Sequence, residues 1–525
     1  MKQSSIFLKL LAAVFSTLSN AFKNSFIYKI AVNTTEGIAN LYAKSKTHSV
    51  LTCGNIENYA ENSVFYRIYA FFVSLFLKIS SKLLKNIAAC SNNNLTGKIA
   101  RYIKNTSLFG KVLSKLFSWL FTLEGGFAFL SLIIFCVPHS IWNNLFGLGC
   151  AFIGFFFILI AFASGKNKVN FAPKSTYFSL CLFMIATVFS TLFSHNRPDS
   201  IRIFAFFLTS FILCIAISVF LCCEKNVYTF VKMMYIIVII TSIIGIVQAI
   251  LKVEADASLT DLSLNKDMPG RVFATLGNPN NFAQMLVLFM PYCVAFALNA
   301  KKVISKILLS CLMILPVVAL LQTYSRSGWI AFAVSVVVFV VLSNKRLIPL
   351  FIILCVFAIP FLPETILARI LTIGNLQDSS SSYRIDIWAG AFDVLKLWWF
   401  TGLGIGPGAF KSVYPAYAYG TTMNVAHSHM QFMEVFLETG IFGFLSYLYL
   451  TFELIRRPCM AAKRCKNKNI RMYAVAAASS MTGIIFIGFF EYFWFYPRVM
   501  FAFFISAGLS IAIYRNSLEN ETKSN

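Results

Sequence analysis

Acidic side chains are scarce in this chain. It carries 20 Asp and Glu against 45 Lys and Arg, and only 12% of its 525 residues are charged. Soluble domains average about 25% charged residues, so a string of two or three soluble domains is excluded. No cluster of acids stands at metal-ligand spacing, and the 13 cysteines include no CxxC pair and no histidine partner at zinc spacing. Most cysteines, such as Cys136, Cys181, Cys214 and Cys311, lie inside apolar runs as small core hydrophobes. Cys222 and Cys223 are adjacent, and Cys459 and Cys465 fall in a basic loop, so neither pair suggests an external disulfide. The formal charge of +25 does not imply a nucleic-acid partner, because the lysines and arginines gather in short clusters between apolar runs. What the chain has in abundance is apolar surface: 58% hydrophobic residues, 16% aromatic, and a mean hydropathy of +0.73. These values describe an all-α polytopic membrane protein.

Residues 1–125 hold fifteen Lys or Arg against four Glu. Phe, Leu and Ile recur there at helical spacing around Ser5 to Phe22, Val64 to Ile87 and Lys98 to Phe121, which predicts basic amphipathic helices on a membrane surface or in the cytoplasm. A secretory signal peptide is the rival reading of the first twenty residues, although Lys9 interrupts its apolar stretch. From Gly126 the runs reach membrane-spanning length. Twelve spans are predicted, near 127–142, 145–164, 177–194, 202–223, 229–251, 281–300, 304–322, 328–343, 347–364, 433–455, 472–490 and 498–514. The chain thus divides into the extension 1–125, a transmembrane domain 126–515 and a tail 516–525.

Loop charge orients these spans. Starting inside, every return loop falls on a basic cluster: Lys166, Lys168 and Lys174; Lys225; Lys301, Lys302 and Lys306; Lys345 and Arg346; and Arg456 to Arg471. Both termini are therefore assigned to the cytoplasm. The opposite face carries one long connection, residues 363–433, too long for a structureless turn, with a helical signal at Arg384 to Leu397 and a Gly-rich bend at Gly402 to Gly408.

Four features converge on that outer face: Arg271 in GRVFATLGNPNNFA, Arg326 in TYSRSGW, Arg384 in SSSYRIDIW, and the histidines of NVAHSHMQFMEVFLETGIFGF. An arginine near membrane depth without an acidic neighbour in sequence calls for an anion, and a lipid diphosphate suits several at once; snorkelling to headgroups is the alternative. Ser428 precedes Gln431 by three residues, the pattern of a capping box that would put His429 at the first helical position. The helix dipole would then hold its imidazole neutral and able to act as a base. The plainer reading makes His427 and His429 polar loop residues ahead of a span. Glu434 and Glu438 share one helix face, where pairing with an arginine is the simple expectation. Glu491 in FFEYFWFYPR either pairs with Arg498 or belongs to an aromatic belt.

GRVFATLGNPNNFA, SRSGW, the block from YRIDIW to GLGIGPGAF, and HSHMQFMEVFLETGIFG stand in order over about residues 265–445. Together they resemble the O-antigen ligase and polymerase superfamily of bacterial membrane glycosyltransferases. The resemblance implies metal-independent transfer, without a cofactor, of a glycan from an undecaprenyl-diphosphate-linked donor to a glycan or lipid-glycan acceptor. The transfer would occur at the outer face of the bacterial cytoplasmic membrane, among membrane lipids. It implies that Arg326 and Arg384 bind the donor diphosphate and that His429 activates the acceptor hydroxyl. Arg271, His427 and Glu438 complete the expected substrate-binding set. Met430 departs from the asparagine usual after the family histidine, and residues 1–125 lie outside the shared pattern. Two other classes stay open: a secondary transporter of a small anionic solute, and a non-catalytic glycan-binding envelope protein. The near absence of ionisable residues from the middles of the spans disfavours the former.

Overall fold

A computed structural model describes residues 123–143, 172–253, 270–344, 363–371 and 379–522, together with scattered positions in 63–74 and 145–153. Among the described residues there are helices and no strands. The principal ones are α1 (Leu123–Cys136), α2 (Lys174–Leu192), α3 (Arg197–Phe220), α4 (Glu224–Ile250), α5 (Pro279–Leu298), α6 (Val303–Leu312), α7 (Ile314–Gln322), α8 (Arg326–Asn344), α9 (Glu364–Leu371), α10 (Ser379–Trp398), α11 (Pro407–Val413), α12 (Gln431–Arg464), α13 (Lys468–Ile487) and α14 (Pro497–Thr522). Nine of the described helices are long and apolar enough to cross a membrane, counting α6 and α7 as one.

Those nine correspond to nine of the twelve predicted spans. The first predicted span is the shorter apolar helix α1. The second, 145–164, lies mostly outside the described residues, and the ninth, 347–364, almost wholly so. The predicted amphipathic helices at Ser5 to Phe22 and Lys98 to Phe121 also lie outside them. Within Val64 to Ile87 the described positions are helical, and Tyr66 packs edge-on against Phe178 of α2, ring centroids 5.5 Å apart. α14 runs on through Thr522, and within it Arg515 and Asn516 both donate to the carbonyl of Leu221 at the end of α3.

α5 and α14 form the centre, with 89% and 94% of their apolar windows buried; α6–α7 and α8 are peripheral at 22%. α13 reaches both central helices because its middle is small. Ala476 to Ser480 lets backbones approach, and a Cβ on Gly483 would lie 2.8 Å from Val287 and 3.0 Å from Ser335. With no water to satisfy it, the Ser480 hydroxyl in this packing donates to the Leu288 carbonyl at 2.6 Å.

Contacts between helix ends sort the bundle into two faces. On one, Gln248 at the end of α4 binds the backbone of Ala274, and Ser194 after α2 meets Ser200 in α3. There also Gln431 at the start of α12 donates to Gly488 beyond α13, and Arg498 at the start of α14 donates to Thr275. On the other face, Arg457 of α12 reaches Ser175 and Thr176 at the start of α2, and Asn467 and Asn469 at the start of α13 bind Glu224 of α4. Thr365 joins the first face through the hydroxyl of Tyr324, 3.1 Å away, whereas α8 starts at that face and runs away from it.

Candidate functional site

Three of the four motifs enter the first face through a residue in the left-handed backbone region: Ala274 (φ 47°), Tyr324 (φ 51°) and His429 (φ 55°). Side chains with a Cβ resist that region, so each must be held by its surroundings. Ala274 is held by the Gln248 side chain, which accepts from its N–H at 2.8 Å and donates to its carbonyl at 2.8 Å. Tyr324 is flanked by Thr323 and Ser325, with the Ser325 N–H on the Thr323 hydroxyl at 3.3 Å. His429 is held by its neighbour two residues back, as its N–H donates to His427 Nδ1 at 3.1 Å.

A polar chain links these turns. Arg271 is buried and donates from Nε to the carbonyl of Thr323 at 2.9 Å and from Nη2 to Asn280 Oδ1 at 2.8 Å. The Asn280 amide donates to Glu491 Oε1 at 3.2 Å, and Arg384 Nη2 meets that same oxygen at 2.7 Å. Glu491 therefore pairs with Arg384 of α10, while Arg498 spends its guanidinium on the carbonyls of Thr275 and Val137 and over the ring of Trp142. Arg326, the first residue of α8, is half-buried three residues after the Thr323 that Arg271 binds. The geometry thus draws Arg271 and Arg384 into one network and sets Arg326 at the same end of the bundle.

The expected capping box is not formed. α12 begins at Gln431, its N-cap is Met430 (φ −143°), and no side chain caps it. The reason is that the Glu434 carboxylate turns back to the Ser428 N–H and the Gln431 N–H is taken by the Gly488 carbonyl. His429 consequently stands outside the helix. Burial, rather than the helix dipole, keeps its imidazole below the ordinary pKa of 6.5; Glu491 pulls it back up and Arg384 pushes it further down. His427, packed 4.4 Å from the Phe495 ring and 4.1 Å from His429, lies well below 6.5 because of burial, with His429 and Arg384 adding to the effect. Since its Nδ1 accepts from a backbone N–H, His427 carries its proton on Nε2. Trp388 of α10 fixes the same turn by donating Nε1–H to the Ser428 carbonyl at 3.0 Å.

Among the described residues no arginine pairs with Glu434 or Glu438. Glu438 is buried, accepting from the Gly406 N–H at 2.8 Å and from the Tyr492 hydroxyl at 3.1 Å on each oxygen. Burial first, and then the carboxylates of Glu438 and Glu434, raise the Tyr492 pKa well above 10, so it stays a donor. The Gly-rich stretch is the predicted bend, pressed backbone to backbone against α12: Leu403 N–H donates to Leu437 at 2.7 Å, Gly404 N–H to Glu438 at 3.0 Å, and Ile441 N–H to Trp399 at 2.8 Å. Gly440 (φ 64°) breaks α12 there, and a Cβ on it would lie 2.2 Å from the Phe400 carbonyl oxygen. The Glu438 carboxylate and carbonyl thereby anchor the long connection to the membrane helix that follows the histidines.

Sequence reading missed Asn280 as the bridge, Glu491 as the partner of Arg384, and Tyr492 as the donor to Glu438. These residues stand 107 to 211 positions from at least one partner, or 54 in the case of Tyr492. The one signal within reach was a lone acid in the apolar stretch FFEYFWFYPR, which needs a partner once buried.

No curated protein matches the chain. The O-antigen ligase family model matches residues 311–448, a stretch that includes Arg326, Arg384, both histidines and Glu438. The chain thus carries an O-antigen ligase domain over that stretch.

Proposed function

We propose that this protein transfers a glycan from a lipid-diphosphate carrier, of the undecaprenyl type, to an acceptor hydroxyl at the outer face of the bacterial cytoplasmic membrane. The observation that carries the reading is that Arg384, inside the O-antigen ligase domain, pairs with Glu491 beside a buried, neutral histidine. In the transfer the acceptor hydroxyl gives its proton to the His429 imidazole and its oxygen bonds to the anomeric carbon. The bond from that carbon to the carrier oxygen breaks, and the diphosphate leaves with the electron pair. Arg384 and Arg326 meet the developing phosphate charge, so the leaving group needs no proton donor. Arg271, His427 and Glu438 act one step back: Arg271 fixes Asn280 and the Thr323 turn, His427 holds the His429 backbone, and Glu438 pins the Gly-rich bend.

The same proposal sets the bundle in the membrane. Helix ends alternate between the two faces, and the lysines and arginines of 225, 301, 302 and 456–471 gather on the face away from the site. That face is cytoplasmic in our reading, with twelve crossings in all and both termini inside. The test is product analysis after incubating the purified chain with a lipid-linked repeat unit and an acceptor. A ladder of products means a polymerase and a single adduct a ligase; an unconsumed donor that still binds overturns the enzymatic reading.

A further inference from the structure

A groove lies on the face opposite the candidate site. It encloses about 1020 Å³ between α4, the α5–α6 turn and the start of α13. Lys225, Lys301 and Lys302 line its polar side, and Leu308, Leu309 and Leu312 of α6 line its apolar side. We propose that this groove seats the phosphate headgroup of an anionic phospholipid, with one acyl chain along α6.

Four observations lead to this assignment. Three lysines outweigh the groove's one acid, Glu224, whose carboxylate is held by the amides of Asn467 at 2.8 Å and Asn469 at 2.6 Å. The first turns of α4 and α6 open on it, and neither helix has a side-chain cap, so their backbone N–H groups add to the positive field. Tyr473, 1% exposed, lines it with its hydroxyl beside the Asn299 amide. Finally, α6 has no buried residue: Val303, Ile304, Ile307 and Leu308 all face outward, an apolar wall continuous with the lipid. A soluble anion would use the lysines but not that wall, and the basic 1–125 extension has the wrong charge to complement them.

The proposal is independent of glycan transfer, and its test never measures transfer. The full chain in detergent is titrated with dioctanoyl-phosphatidylglycerol, dioctanoyl-phosphatidylcholine or inorganic phosphate, with binding read as a shift in Tm. Phosphatidylglycerol should bind at least about tenfold more tightly than either alternative. The double variant Lys301→Gln/Lys302→Gln, at exposed positions and so with an unchanged lipid-free Tm, should lose about tenfold or more of that affinity. Tyr473→Phe, which keeps the packing, should lose about threefold. Equal binding of phosphatidylcholine, binding of free phosphate as tight as that of the anionic lipid, or undiminished affinity in the lysine variant would each overturn the assignment.

Discussion

Arg384 and Glu491, 107 residues apart, share an ion pair of 2.7 Å beside His429, with Asn280 donating to the same carboxylate oxygen. On the proposed mechanism this carboxylate competes with the donor diphosphate for the Arg384 guanidinium. A dianionic diphosphate with bidentate geometry can outcompete a single oxygen contact. On the proposed mechanism Glu491, which raises the His429 pKa, would stabilise the imidazolium formed as the acceptor proton is taken.

Replacing Glu491 by Gln removes this competition. The KM for the lipid-diphosphate donor should fall about three- to tenfold, in line with the strength of a partly exposed ion pair, while kcat falls because the imidazolium loses its counter-charge. Steady-state kinetics with separate donor and acceptor titrations would show the two changes. A rise in donor KM would mean that Glu491 holds Arg384 ready rather than blocking it.

The pH profile follows from the same three groups. His429 must be neutral to accept a proton, so activity should fall on the acid side through a pKa below 6.5. Removing the Arg384 charge, which lowers that pKa, should move the acid limb of the residual activity to higher pH. Glu491→Gln removes a charge that raises it and should move the limb lower. Shifts of the same sign in both variants would contradict the arrangement.

His427 acts through the backbone. His427→Ala strips the acceptor from the His429 N–H and leaves a left-handed residue without its local support. A kcat loss of about ten- to a hundredfold with an unchanged donor KM is expected, equivalent to about 1–3 kcal/mol for an orphaned donor. His427→Asn, whose side-chain oxygen can accept the same hydrogen bond, should recover part of it. Equal losses in both variants would assign the imidazole itself a chemical part.

Gly440→Ala tests the seam between the long connection and α12. The added Cβ meets the Phe400 carbonyl oxygen at a φ of 64°, so Tm should drop by several degrees, from about 1–2 kcal/mol of backbone cost plus the clash. An unchanged Tm would mean that the bend is not pinned to the helix in the folded protein.

Much of the membrane architecture was legible because apolar runs of spanning length leave little choice of structure, and the α10 signal at Arg384 to Leu397 fell within Ser379–Trp398. The motif arginines and histidines were legible as unusual residues for their surroundings. Their partners were not, because Asn280 and Glu491 carry no local pattern and meet Arg271 and Arg384 only through the packing of α5, α10 and the turn before α14. The capping box failed for a similar reason. Ser428 and Gln431 have the right spacing, but Glu434 lies one turn further along and its carboxylate takes the Ser428 N–H, a tertiary choice that spacing cannot show.

The central claim is that the imidazole of His429 takes the acceptor proton while arginine holds the diphosphate. It is tested most directly by single-turnover transfer from a lipid-diphosphate-linked glycan, comparing wild type with His429→Ala at saturating donor. The account predicts donor binding within about twofold of wild type and a transfer rate lower by about a hundredfold or more, the usual contribution of a positioned general base. Transfer at the wild-type rate would contradict it.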